Sequence, residues 1–249
     1  MALDETVGRW VGWAYAPWFG VGSLLRRARV LHPSGAVYAG EVLPLPGRGE
    51  ALGALLRGPV LARFSGATWK HPAGALEVLG VALRFGAAPA AEPAAADQDL
   101  LFATIRRPWT LPLAPFTTHA RNFLHDDYFA VSPFDVPQLG RVYFRLRPRR
   151  FSGNGSAAGG GDRYERLAGS LADDQARLVL AVRPSWRLRW IDVGEIRITR
   201  ASPVDGEALR FSAFRSGKGI VPRGFVHALR RGAYAISQAA RPRRARISS

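Results

Sequence analysis

Alternating apolar and polar positions mark out the strands of this chain. From Arg141 to Arg147 the run Arg-Val-Tyr-Phe-Arg-Leu-Arg puts Val142, Phe144 and Leu146 on one face and arginines mostly on the other. That is the two-residue period of a half-buried strand. Gly194 to Arg200 repeats it with Ile196 and Ile198. Val60–Ser65, Val78–Phe85, Asp99–Ile105 and Arg177–Arg183 are more continuously apolar and read as buried strands. Many short strands with short connections predict an antiparallel sheet closed into a barrel. One segment has a different period. Between Pro222 and Arg241, Phe225, Val226, Leu229, Ala233 and Ile236 form an apolar helical stripe, and Pro222 suits a first helical position. Arg230, Tyr234 and Arg241, spaced four and seven apart, share a second face of that helix.

Two stretches break the pattern. Ala87 to Ala96 is rich in Ala and Pro, and Ser152 to Asp162 in Gly, Ser and Ala. Strand-like sequence resumes after each, so both read as loops within one domain. No internal repeat is present.

Composition adds constraints. The chain has 249 residues, 47 % of them hydrophobic and 22 % charged, enough to bury a core without staples. It has no cysteine, which excludes disulfides, thiolate nucleophiles, iron–sulfur clusters and thiolate-bound metals. The formal charge is +16, carried almost wholly by arginine, since Lys70 and Lys218 are the only lysines. Such a balance favours anionic partners, but no basic–aromatic interleaving suggests specific nucleic-acid binding. The uncharged run Trp10–Leu25 is short for a membrane span and is broken by Pro17 and glycines. Asp4 and Glu5 precede it where a secretory signal would be basic. The expectation is a cytoplasmic protein with no transmembrane segment. Peripheral membrane contact through Trp10, Trp13, Trp18 and Phe19 stays open.

Tyr234 and Arg230 carry the first chemical hint. A guanidinium beside a phenol favours the phenolate, a hard anionic ligand suited to ferric haem. Taken alone, Arg-x-x-x-Tyr fits a surface pair equally well. The rest of the chain changes the balance. Arg29-Val-Leu-His32-Pro-Ser-Gly35, followed by Gly40, resembles the distal-histidine motif of the haem catalase superfamily. Arg63-Phe-Ser65 resembles the strand that backs this histidine, and Leu79–Phe85 the glycine-containing strand that follows. Asp99-Leu-Leu resembles the start of the next strand, and Phe116 then falls on the phenylalanine that packs over the haem. Val193-Gly-Glu and Gly219-Ile-Val-Pro222 resemble late barrel segments that lead to Arg230, Tyr234 and Arg241.

The resemblance implies an α+β fold, a catalase-like antiparallel β-barrel with flanking helices and a C-terminal haem-ligand helix. It covers a haem domain over 29–241; outside it, residues 1–28 read from their composition as a helical arm and 242–249 as a frayed basic tail. The cofactor would be haem b (iron protoporphyrin IX). Tyr234 would ligate the iron and Arg230 would hold it as phenolate. Arg29, Arg63 and Arg241 would neutralise the propionates. His32 would be the distal acid–base group, Ser65 would fix its ring, and Phe116 would pack on the porphyrin. The implied activity is a peroxidase acting on organic hydroperoxides or small peroxides with an unknown reductant. The alternative is a non-catalytic haem-binding or sensing module, or a haem-free remnant. Catalases place an asparagine where the register from Asp99 puts Ala103, with Thr104 next. Alanine cannot orient a second peroxide, so efficient disproportionation is not expected. The arm and C-terminal domain that tie typical catalases into tetramers have no counterpart, so a monomer or homodimer is expected. His71, His119, His125 and His227 show no metal-ligand spacing and read as surface or structural residues, and Asp126-Asp127 as a solvated pair.

Overall fold

The computed structural model describes residues 34–67, 76–86, 92–150, 161–206 and 208–224. The predicted arm, the basic tail and residues 225–241 of the predicted helix lie outside the described residues. The strands are β1 (Ser34–Pro44), β2 (Gly58–Gly66), β3 (Leu79–Phe85), β4 (Gln98–Ala103), β5 (Tyr128–Phe129), β6 (Phe134–Val136), β7 (Gly140–Pro148), β8 (Arg177–Pro184), β9 (Ile191–Ala201) and β10 (Val221–Pro222). They are joined in the order β10-β6-β7-β5-β4-β3-β2-β1-β9-β8, and β8 pairs back onto β7. Eight strands therefore close into a barrel; β6 pairs with the start of β7, on the edge that β5 takes further along, and β10 pairs with β6. All pairings between these strands are antiparallel. The expected α+β class and closed barrel are both present.

One buried cluster fills the barrel. Tyr38 and Val42 of β1, Ala62 and Phe64 of β2, Leu83 of β3, Leu100 of β4, Tyr128 of β5, Phe144 of β7, Leu180 of β8 and Ile196 of β9 all belong to it. An eight-stranded barrel is just wide enough for side chains to fill. Aromatic rings set its centre. Phe64 meets Tyr38 edge-on at 5.8 Å and Phe123 at 5.4 Å. The alternation in β7 is as predicted, with Val142, Phe144 and Leu146 fully buried.

Continuous burial in β2 means that its second face is covered too. Leu61 of β2 and Val37 of β1 pack outside the barrel against Leu209 and Phe211. The segment 208–220 is strapped there by polar contacts. Asp99, wholly buried, accepts from Arg84 Nε at 3.0 Å and from the Ser212 N–H at 2.8 Å. It also takes a hydrogen bond from the Arg215 guanidinium. Arg84 in turn donates to the Arg210 carbonyl at 2.6 Å. The side chain of Gln98 donates to the carbonyls of Arg215 and Ile220 and accepts from the Ile220 N–H.

Helices flank the barrel: α1 (Glu50–Leu56), α2 (Ala114–Thr117), after a 3₁₀ turn at Pro108–Thr110, and α3 (Arg163–Ala172). The first buries Leu52 and Leu56. In α3, Asp162 accepts from the N–H groups of Tyr164 and Glu165, while Glu165 Oε2 accepts from the Asp162 N–H. That reciprocal capping box satisfies donors the helix would otherwise leave open. Among the described residues, no helix is long and apolar enough to cross a membrane.

One boundary differs from expectation. Pro222 does not begin a helix. It ends β10, opposite Phe134 of β6, and the Arg223 N–H continues the pairing to the Pro133 carbonyl at 2.9 Å. Gly224 then has a φ of +86°. β10 is an edge strand, where a missing N–H costs little.

Candidate functional site

Of the candidate site residues, Arg63, Ser65 and Phe116 are described. Arg29, His32, Arg230, Tyr234 and Arg241 lie outside the described residues. Arg63 and Ser65 sit two apart on β2, so they share a face. It is the face opposite Phe64, outside the barrel core. Cross-strand pairing extends that face into rows. Ser65 lies opposite Gly35 of β1 and Gly80 of β3; Gly80 lies opposite Ala103 of β4, and Ala103 opposite Phe129 of β5. Arg63 lies in the next row, opposite Val37 and Ala82.

These rows explain residues that the sequence marks only by resemblance. The Arg63 guanidinium lies over Gly35: a Cβ there would fall 2.7 Å from Arg63 Cζ and 2.7 Å from the Phe64 carbonyl oxygen. Gly40 meets backbone instead, since its Cβ would fall 2.5 Å from the Arg197 carbonyl oxygen. The two glycines are close-approach residues on one strand, each with a separate neighbour. Gly35→Ala is expected to cost about 1–3 kcal/mol through overpacking, read as a lower urea midpoint at unchanged m-value. An unchanged midpoint would show that both the guanidinium and the Phe64 carbonyl give way without cost.

The Ser65 hydroxyl is buried and makes a long hydrogen bond, 3.5 Å, to the Gly80 carbonyl. With Gly35, Gly80 and Ala103 in its row, it is flanked by backbone and small side chains. The register places Ala103 in this row at the end of β4, and its methyl offers no hydrogen bond. The neighbouring Thr104 does not substitute. Its hydroxyl accepts from the Leu79 N–H at 3.1 Å and meets the Thr118 hydroxyl at 2.8 Å. Those bonds tie the start of β3 to the C-terminal end of α2.

α2 sits at the Ala103 end of the row, because Ala114 packs in one small cluster with Ala103 and Ile105. Two residues on, Phe116 is 70 % exposed. It is not a core residue of the described unit, and its ring is available to a flat apolar partner. Burial raises the phenol pKa of Tyr38 and raises that of Tyr128 well above the ordinary value. Tyr128 stays neutral and donates to the Phe123 carbonyl at 2.7 Å. Neither is suited to serve as a phenolate ligand.

Comparison with known proteins follows the barrel rather than the sequence. No protein-family model matches the chain, and no curated protein matches it. Solved structures do. A bacterial catalase superposes with a TM-score of 0.58 at 15 % identity, over 86 % of this chain and 57 % of the catalase. A fungal catalase superposes with a TM-score of 0.59 at 13 % identity, over 86 % of this chain and 59 % of the catalase. The chain thus spans less than two thirds of the length of either. With its eight antiparallel strands closed through β7 and β8 and its core inside them, the protein has a catalase-like fold.

Proposed function

We propose that this chain is a haem-dependent peroxidase acting on organic hydroperoxides or small peroxides. The observation that carries the reading is the shared face of β2. There Arg63, seated over Gly35, lies beside Ser65 in a row of small residues on a catalase-like barrel. A guanidinium suits a carboxylate, and hence a haem propionate. The exposed Phe116 ring suits a porphyrin face. These groups fit the rim of haem b.

Tyr234 would hold the iron, with Arg230 keeping it ionised, and Arg29 and Arg241 would join Arg63 at the propionates. When bound, the haem supplies the redox chemistry that cleaves a peroxide. His32 would take the proton from the arriving peroxide and return it to the departing oxygen. Ser65 would hold the imidazole in place, and Phe116 would exclude water. An external reductant would supply the electrons.

The decisive experiment is an absorption spectrum of the full-length protein after haem loading. The wild type is expected to show a Soret band, and Tyr234→Phe to lose it or shift it strongly. Identical spectra for the two would remove Tyr234 as the ligand, and the absence of a band in both would overturn the haem reading. Ala103 favours a second reading, a haem-binding module without turnover, because its methyl offers no donor to orient peroxide at its place in the row. A Soret band with no oxidation of a dye reductant on adding hydroperoxide would select it.

A further inference from the structure

The loop between α2 and β5 folds back on itself and brings His119 onto the consecutive pair His125 and Asp126. The Nδ1 atoms of His119 and His125 lie 2.8 and 3.0 Å from Asp126 Oδ1. The three ligand-type atoms all lie within 4.8 Å of one another. The two imidazole rings lie with centroids 3.6 Å apart, tilted by 35°. These histidines are surface residues, as expected, and with Asp126 they form one cluster.

The cluster is held from behind. The other oxygen of Asp126 accepts from the His119 N–H at 2.6 Å, which fixes the carboxylate in the plane needed to aim Oδ1 at both rings. At the start of the loop, the Thr118 hydroxyl donates to the Ala114 carbonyl at 2.7 Å. At its end, Tyr128 bonds the carbonyl of the fully buried Phe123. Asp126 is mostly covered, while the His119 and His125 side chains are 62 % and 47 % exposed. Solvent reaches both rings, so water is at hand to complete a coordination shell.

Two ring nitrogens aimed at one carboxylate oxygen have two stable forms. Either both carry protons and share that oxygen, or a cation takes the place of the protons. A set of two imidazoles and one carboxylate matches borderline divalent ions, whereas magnesium and calcium prefer all-oxygen shells. Bonds of about 2.0–2.2 Å to zinc require the present spacings to open only slightly, which exposed rings can do by rotation.

We propose that His119 Nδ1, His125 Nδ1 and Asp126 Oδ1 form a surface site for a divalent transition-metal ion such as Zn²⁺, with water at the open positions. The site is independent of the haem reading. The test is calorimetric titration of metal-free full-length protein with Zn²⁺ and, separately, Mg²⁺. One equivalent of Zn²⁺ is expected to bind and Mg²⁺ to give no signal. His125→Ala and Asp126→Asn should each weaken Zn²⁺ binding by about tenfold or more, since losing a direct ligand costs no less than losing an outer-shell partner. Equal Zn²⁺ affinity in the wild type and both variants would overturn the proposal, as would no binding to the wild type. Paramagnetic resonance of the Cu²⁺-loaded wild type keeps the question answerable if a variant fails to fold. Hyperfine structure from two nitrogens supports the site, and structure from none refutes it.

Discussion

Asp99→Ala is expected to destabilise the barrel by about 3–5 kcal/mol. Asp99 is fully buried, and so is Arg84, its partner directly across from β4 to β3. Removing the carboxylate strands the Arg84 charge in a site that water does not reach. It also releases the Ser212 N–H and the Arg215 guanidinium, which hold segment 208–220 against the sheet. The expected readout is a large fall in the urea midpoint at an unchanged m-value. A paired change, Arg84→Met with Asp99→Leu, should recover much of the loss, because apolar replacements of similar volume often match a buried ion pair. If Asp99→Ala unfolded at the wild-type midpoint, the strap would not depend on this pair, and the packing of Leu209 and Phe211 against Val37 and Leu61 would have to hold it alone.

The second large effect concerns chemistry. On the proposed reading, His32→Ala should lower peroxidase turnover by about 10²–10⁴-fold, the usual contribution of a positioned acid–base group. The Soret band should persist, since His32 is not the iron ligand in that reading. Steady-state oxidation of a dye by a small alkyl hydroperoxide measures the first, and the absorption spectrum the second. Turnover within a few-fold of wild type would remove His32 from the reaction. Loss of the band together with activity would instead make His32 a structural or binding residue.

Strands with a regular period are legible in the amino-acid sequence itself. β7 alternates because one face meets the core and the other meets solvent, and the two-residue period of a strand writes that difference into the chain. β2, β3, β4 and β8 are legible as apolar runs because both their faces are covered. β1 carries no such signal. Gly35, Ala36, Ala39 and Gly40 are poor strand formers, and the two glycines stand where Arg63 and the Arg197 backbone pass too close for larger side chains. α3 is also hard to read, although Asp162 and Glu165 stand at capping-box spacing. The Gly-rich stretch before it has the composition of a loop and masks the helix start.

The candidate site divides in the same way. The hydrophobic period, a local property, is enough to anticipate a closed antiparallel barrel, whereas Arg63, Ser65, Ala103 and Phe116 are singled out only by the resemblance to catalases in the order of short motifs. Which residues become neighbours is not local. Strand register puts Ser65 in line with Gly35, Gly80 and Ala103. It pairs Arg84 with Asp99, and loop closure carries His119 to Asp126. The strand pairings depend on chain separations that no short window of sequence contains, and the His119–Asp126 contact, only seven residues apart, depends on a loop conformation that its residue types do not encode.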